Sequence, residues 1–555
     1  MPVADTLSWP GGTAPRNPPP SWSSYHGPPV RSGHPCLEEI IRPWAVTSRD
    51  VAFTDTDGRV RVSYLELAHR MAIAADRLRR RGVGPGALVA MTLANDLPSV
   101  LSALATWACG ATVVSLPPFP RRAAGWYSRQ FGQVLDQLGA GFLIEGPHQA
   151  AELSGWPGLG RVPAAALAEP QAERVADSET AAPATALIQF TSGSVGAPKG
   201  VAISSAVLAG HLATLIAAFE VDGEADRLVS WLPLYHDLGF IVMFLTGLAA
   251  RADQVLTPPS TFAKGPATWL TMLHQERGTV TAAPDFAYRL AAAVPYPERL
   301  DLSRVRMSIS GGERLSWQTL LDFQATAEPM GMRWEAITPA YGLAEATVGV
   351  SNAPPGRGPV RGPGGHVSVG RLMRGVELRV PAGSAPGPIQ LRGPWLFDGY
   401  HTADNFEPAA AGTWFDTGDA GFVHEDELYV LGRRDEVLTL AGRNVFAEDV
   451  ESVAHDACGQ RVRVCAAFRT GTAAGRFGLV AEADPRLVAD RDEARELAHL
   501  IQTSVIDALR TRVAPVLIVS RGVIPRTTSG KVQRAQCRSL IASGEADSRI
   551  LAELT

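Results

Sequence analysis

Apolar positions along the chain follow two alternating periods. Between Tyr64 and Arg80 they recur three and four residues apart, the spacing that gathers them on one face of a helix. Ala87–Leu93 is a short, nearly continuous apolar run, as expected of a strand buried on both faces. The pair repeats further on: Ala186–Phe190 predicts a strand and Ser204–Phe219 a helix, with the small-residue run 191–200 between them. Arg491–Arg512 predicts another helix. This alternation predicts an α/β fold with largely parallel sheets. Two stretches, Val100–Leu116 and Phe240–Ala250, are more strongly apolar. Each falls short of the roughly 20 residues a membrane-spanning helix needs, so both are expected in the core.

Breaks in the pattern suggest an organisation. Residues 1–35 are rich in Pro, Gly and Ser and predict an irregular tail. Residues 352–365 read as a Pro/Gly connector, and 366–431 as strand-rich. The polar segment Gly432-Arg433-Arg434-Asp435-Glu436 precedes about 120 further residues, enough for a small α+β domain. The expected division is a tail (1–35), a large domain (36–432) and a C-terminal domain (433–555). No internal repeat is evident.

Composition narrows the classes. A chain of 555 residues with 46% hydrophobic and 19% charged residues fits a globular protein with a large core. A net charge of −5 without a basic run argues against nucleic acid. Residues Met1 to Pro10 lack the pattern of a signal peptide. Cys36, Cys109, Cys458, Cys465 and Cys537 form no C-x-x-C pair, so buried thiols in a reducing cytoplasm are expected. Lys plus Arg total 51, yet only Lys199, Lys264 and Lys531 are lysines. A lysine retained against such a bias suits a place where a compact point charge works and a planar fork does not. Lys264 reads as a surface residue. The other two lie in Gly-containing loops able to hold an anion.

Five motifs carry candidate chemistry. Thr191-Ser192-Gly193-Ser194-Val195-Gly196-Ala197-Pro198-Lys199-Gly200 is not a Walker P-loop, but it offers hydroxyls, glycines and a lysine to phosphates. Its place after a strand and before a helix would let backbone N–H groups collect phosphate oxygens. Tyr341-Gly342-Leu343-Ala344-Glu345-Ala346-Thr347 pairs an aromatic ring, able to stack on a base, with a carboxylate able to hold Mg²⁺ against phosphates. Trp414-Phe415-Asp416-Thr417-Gly418-Asp419 places carboxylates in a turn that suits ribose hydroxyls. Gly432-Arg433-Arg434-Asp435 with Gly442-Arg443-Asn444, and Pro525-Arg526-Thr527-Thr528-Ser529-Gly530-Lys531, complete the set.

In this order and spacing the motifs resemble the adenylate-forming superfamily: acyl-CoA synthetases, peptide-synthetase adenylation domains and luciferases. The resemblance runs from about residue 36 to the end. It implies a large N-terminal domain with a mobile C-terminal lid, and activation of a carboxylic acid by ATP to acyl-AMP and pyrophosphate. On the matching positions, it implies that Lys531 acts at the reacting carboxylate and α-phosphate. Thr191, Ser192, Gly193, Ser194, Gly196 and Lys199 would cradle the pyrophosphate, and Glu345 would hold Mg²⁺. Gly311, Gly312, Glu313, Tyr341, Gly342, Leu343 and Ala344 would form the adenine pocket, with Asp419 and Arg433 on the ribose. Asp435 would be the hinge.

Ser230-Trp231-Leu232-Pro233-Leu234-Tyr235-His236-Asp237-Leu238-Gly239, Ala283-Pro284-Asp285-Phe286-Ala287-Tyr288, the Ala rather than Thr at Ala344, and Gly442-Arg443-Asn444 look like one branch, the fatty acyl-AMP ligases. That branch implies a phosphopantetheine thiol of a carrier protein as acceptor. Only residues 348–366 lie between Thr347 and Val367, shorter than the insertion those ligases usually carry, which keeps CoA as the alternative acceptor. A non-catalytic nucleotide or acyl-adenylate binder is the third reading. Trp231, His236, Asp237, Gly239 and Phe286 are the candidate acyl-substrate residues, with Phe240, Phe262 and Trp269 as further aromatic walls. His236 is read as lining the acyl site, because a carboxylate is already ionised and needs no protein base. The acid is expected to be hydrophobic. The arginine-heavy composition suggests a GC-rich bacterial source and specialised metabolism.

Overall fold

A computed structural model describes residues 22–30, 33, 36–41, 49–55, 58–116, 132, 135–146, 159–169, 181–191, 199–296, 299–382, 386–402, 404–410, 412–440, 443–470, 476–526 and 532–555. Two large sheets carry the α/β pattern. In the nine-stranded sheet the order is Arg371–Leu372, Ser351–Asn352, Ile337–Tyr341, Met307–Ser310, Val280–Ala283, Arg227–Ser230, Asp253–Leu256, Asp50–Asp55 and Gly58–Ser63. The eight-stranded sheet runs Phe406–Pro408, Gly399–His401, Lys199–Ser204, Thr185–Thr191, Thr112–Ser115, Leu88–Met91, Phe142–Glu145 and Gly160–Pro163. Central strands pair in parallel and antiparallel strands sit at the edges. The mixed α/β class expected from the apolar pattern is the one observed.

The helices form where the periodicity places them. Tyr64–Arg79 starts at Ser63, whose hydroxyl accepts the Glu66 N–H at 3.1 Å, and buries Leu67, Met71, Ala74, Ala75 and Leu78 on one face. Ser205–Phe219 follows strand Lys199–Ser204, and Arg491–Leu509 is capped by Asp490. The apolar stretch after His236 forms a π-helix, Leu238–Leu245, that runs into helix Thr246–Ala250. Among the described residues no helix is long and apolar enough to cross a membrane.

One expectation is corrected in the tail. Trp22–His26 is a strand, antiparallel to Glu377–Pro381, at the edge of a five-stranded sheet with Gly387–Arg392, Phe415–His424 and Glu427–Arg433. Arg379 stacks between Trp22 and Trp414, 4.5 and 4.6 Å from the ring centres, which holds this segment in place. The cysteines are also mixed. All five are free, and Cys109, Cys458, Cys465 and Cys537 are buried, but Cys36 is exposed.

A large apolar core spans Leu37 to Leu428, and a separate one spans Val445 to Ala552. The second covers a four-stranded sheet of Val462–Thr470, Arg476–Ala483, Val513–Val519 and Ile550–Leu554. Between them a small cluster joins Ala420, Phe422, Tyr429 and Leu431 to Phe446.

Candidate active site

The strands of the nine-stranded sheet end at a cavity of about 3230 Å³. Strand Ile337–Tyr341 delivers Tyr341 to its wall, and the chain then turns through Gly342. Here glycine is required by space: a Cβ at Gly342 would lie 1.5 Å from the Val348 carbonyl oxygen. The turn holds strain. Thr347 and Val348 have φ of 58° and 147°, a region that costs non-glycine residues on the order of 1–3 kcal/mol each. Three bonds hold it. The Thr347 hydroxyl donates to the Trp395 carbonyl at 2.8 Å, the Gly349 N–H to His211 Nε2 at 3.0 Å, and the Phe397 N–H to the Glu345 carbonyl at 2.9 Å. Burial keeps His211 neutral by lowering its pKa to about 3, so Nε2 stays an acceptor. The turn thereby fixes Glu345, which lines the cavity.

Glu345 Oε1 accepts the Tyr400 hydroxyl at 2.7 Å, and Lys199 Nζ sits 5.0 Å over the Tyr400 ring. Tyr400 was not among the residues singled out by sequence. Strand Gly399–His401 brings it there by pairing with Lys199–Ser204, Tyr400 opposite Val201. Burial and then the Glu345 charge push the Tyr400 hydroxyl's pKa up, so it remains a donor.

On the neighbouring rim, Tyr341, Asp419 and Arg433 form one group. The Tyr341 hydroxyl donates to Asp419 Oδ2 at 2.6 Å, Arg433 Nη1 lies 3.6 Å from Asp419 Oδ1, and Arg433 donates to the Thr417 carbonyl at 2.9 Å. Asp419 and Arg433 face each other across paired strands, so the geometry follows from register. Gly311 and Gly312 follow strand Met307–Ser310, and Gly312 has φ +84°. Glu313 Oε2 accepts the Phe286 N–H at 3.2 Å, linking this loop to the aromatic wall. Gly311, Gly312, Glu313, Tyr341, Gly342, Leu343, Ala344, Glu345, Asp419 and Arg433 all line the one cavity.

The phosphate-loop expectation is changed in one respect. Thr191 and Lys199 pair as ends of antiparallel strands, so strand Lys199–Ser204 intervenes before the helix. The loop therefore does not feed a helix N-terminus directly. Ser192, Gly193, Ser194 and Gly196 lie outside the described residues, as does Lys531, and the Thr191 side chain is likewise not described. Of Gly442, Arg443 and Asn444, the backbone of the last two forms strand Arg443–Phe446. Lys264 ends the short helix Pro259–Lys264 and is exposed.

The aromatic residues divide. Phe262 and Phe286 line the cavity with His236, Asp237, Leu238 and Val242. Trp231 stacks on Phe262 at 3.9 Å and backs the wall rather than forming it. Phe240 packs on Trp107 and Phe244, and Trp269 on Tyr288 and Phe323, so both belong to the core. His236 Nδ1 lies 2.7 Å from Asp237 Oδ1. Gly239 is a packing glycine, since a Cβ would meet the Pro233 carbonyl oxygen at 2.2 Å. Asp285 lies at the cavity edge, where burial raises its pKa to about 6.

Two further features escaped the sequence. Arg314 Nη1 donates to Asp449 Oδ1 at 2.6 Å, and its Nη2 meets His366 Nδ1 at 3.0 Å. Arg534 holds Glu436, Glu448 and Glu451, the last two at 3.0 and 2.7 Å. Asp435 stands in the turn Arg434–Glu436 after strand Glu427–Arg433, half exposed, 3.6 Å from Arg433.

Charged turns at the strand ends of this parallel-centred α/β scaffold thus gather around one cavity. The chain belongs to the family of AMP-binding enzymes, whose pattern matches residues 42–401. It is 29% identical over 529 residues to a putative ligase of Mycobacterium tuberculosis, covering 87% of this chain and 95% of that protein. A 4-hydroxyphenylalkanoate adenylyltransferase of Mycobacterium marinum is 29% identical over 551 residues, covering 87% and 86%. Among solved structures, one from work on the fatty acyl-adenylate ligases of E. coli and L. pneumophila matches with a TM-score of 0.81 at 25% identity, over 94% of this chain and all of that one. The chain is thus an adenylate-forming ligase near the fatty acyl-AMP ligases, in a family that uses ATP.

Proposed function

We propose that this ligase joins a hydrophobic carboxylic acid to AMP and passes the acyl group to the phosphopantetheine thiol of a carrier protein. A carboxylate oxygen attacks the α-phosphorus, the bond from that phosphorus to the bridging oxygen breaks, and pyrophosphate leaves. The thiol sulfur then attacks the carbonyl carbon, AMP departs, and the thiol proton goes to solvent. The observation that carries this reading is that the Tyr341–Asp419–Arg433 group, Glu345 and the apolar wall of Phe262 and Phe286 line one cavity, with Glu345 held from behind by Tyr400, whose ring Lys199 covers.

In this reading Tyr341 and residues 311–313 hold adenine, with Asp419 and Arg433 at the ribose. Residues 191–199 and Lys531 answer the phosphate charge, because two anions must meet and cations supply most of the catalysis. Glu345 fits Mg²⁺, which is commonly held by one or two carboxylates plus substrate phosphates. Its Oε1 is oriented by the Tyr400 hydroxyl, and the residue lines the cavity. The ion would offset charge on the phosphates. Residues 36–432, with the strand Trp22–His26 added to their five-stranded sheet, form the catalytic domain and 433–555 the lid, with the hinge at Asp435. The acid contacts Phe262, Phe286 and the His236–Leu238 turn. The setting is cytoplasmic.

Incubation with ATP, Mg²⁺ and a panel of acids, with and without CoA or a holo-carrier protein, tests this by mass spectrometry. Acyl-AMP followed by an acylated carrier is expected. Acyl-CoA in place of the loaded carrier would replace the proposed acceptor, and nucleotide binding without pyrophosphate release would remove the catalytic reading.

A further inference from the structure

We propose that Arg314 is a positioning residue for adenylation: it ties the loop that holds the nucleotide to the C-terminal core. The proposal rests on the reading of residues 311–313 as the adenine loop, which Arg314 directly follows. Its guanidinium reaches two partners on different parts of the molecule. His366 packs on Phe422, and its Nδ1 takes one N–H at 3.0 Å. Burial, then Arg314 itself, lowers the His366 pKa to about 4, so the ring is a neutral acceptor and adds no second cation. That fixes the plane of the fork and leaves its other edge for Asp449 at 2.6 Å.

Asp449 is fixed in turn. Its Oδ2 accepts the Phe446 N–H at 2.9 Å, capping helix Ala447–Cys458. The Phe446 side chain is itself packed with Phe422 and Tyr429 of the five-stranded sheet. The adjacent Glu448 pairs with Arg534, which also grips Glu451 and Glu436, the residue after Asp435, and its charge reaches Arg314 as well. One helical turn therefore supplies a direct partner to each arginine, Asp449 to Arg314 and Glu448 to Arg534.

The Arg314 and Asp449 side chains are only 20% and 19% exposed. A buried ion pair is a poor source of stability, because desolvation offsets the attraction. It is better suited to fixing register between two parts, since breaking it leaves an uncompensated charge. A bidentate fork performs this better than a point charge. The pair therefore sets where helix Ala447–Cys458, and the lid with it, stands during adenylation.

The test is a double-mutant cycle of Arg314→Met and Asp449→Asn, with Arg314→Lys, in the full chain. Two readouts are needed: ATP-dependent pyrophosphate release with an acid the wild type accepts, and tryptic cleavage after Arg434 identified by mass. Each single variant is expected to lose about tenfold or more in kcat, with KM for ATP within about threefold. Each should also be cut faster after Arg434, and the double variant should be no worse than the poorer single. Single variants within twofold of wild type in both readouts, or losses that multiply in the double, would overturn the proposal. If Arg314→Met does not fold, Arg314→Lys decides. It keeps the charge without the fork, and is expected to lose about threefold or more and be cut faster; wild-type behaviour overturns the proposal. If no acid supports pyrophosphate release by the wild type, the functional reading fails, and the trypsin comparison still decides the coupling.

Discussion

Tyr400 stands between two charged groups that the sequence had singled out separately. Glu345 and Lys199 are 146 positions apart, and nothing in the order of residues says that one ring touches both. Strand pairing does it, by laying Gly399–His401 beside Lys199–Ser204. The charged residues were legible because a lone lysine or a glutamate in a glycine-containing turn stands out chemically. A tyrosine in an Asp-Gly-Tyr-His run does not. Tyr400→Phe removes the hydroxyl that orients Glu345. A hydrogen bond to a charged group contributes about 1.5–3 kcal/mol, so pyrophosphate release is expected to fall by about tenfold or more. A rate within twofold of wild type would show that Glu345 holds its position unaided. Lys531→Ala, which removes a cation assigned to the developing charge, is expected to cost at least about 10²-fold in acyl-AMP formation. Near-normal pyrophosphate release would cancel that role.

At the scale of elements, helices were the most legible, because three-and-four spacing is sustained over many residues: Tyr64–Arg79 and Arg491–Leu509 lie where the pattern puts them. The strand after residues 192–198 was less legible. Lys199–Ser204 is too short and too mixed to announce a strand, and it acquires that role by pairing with Thr185–Thr191 on one side and Gly399–His401 on the other. The aromatic wall shows the same limit. Phe262 and Phe286 face the cavity while Phe240 and Trp269 face the core, a distinction set by packing that composition does not carry. Helix Asp285–Ala292 begins with a buried acid. Asp285 accepts the Ser316 N–H at 2.9 Å and the Thr319 hydroxyl at 3.3 Å, with Arg289 at 3.8 Å. Burial nevertheless dominates and lifts its pKa from 3.8 to about 6. The fold therefore favours the protonated form. This contribution is complete below about pH 4 and is lost as pH rises through about 6. Between pH 5 and 7 the thermal midpoint of wild type should fall relative to that of Asp285→Asn. Parallel midpoints over that range would show that the acid titrates as if exposed.

For the whole molecule, the α/β class was written in the alternation of apolar periods, and the cleft in the order of its motifs. The two cores were less so, since Phe446 comes after the polar segment 432–436 yet packs with Phe422 and Tyr429. Least legible was the start of the chain. Proline, glycine and serine made residues 1–35 look structureless, but five of them, Trp22–His26, complete a sheet through backbone pairing, which composition reports poorly. That strand has a practical side. A chain shortened to begin at residue 27 would leave the backbone edge of Glu377–Pro381 open, and an open edge is a template for another molecule's strand. Such a product is expected to elute as larger species than the full chain in size-exclusion chromatography, and equal elution would show that the uncovered edge recruits no second strand. Engineers attaching a tag or fusion partner should therefore keep residues 22–26, which cover the edge of Glu377–Pro381 and seat Arg379 between Trp22 and Trp414.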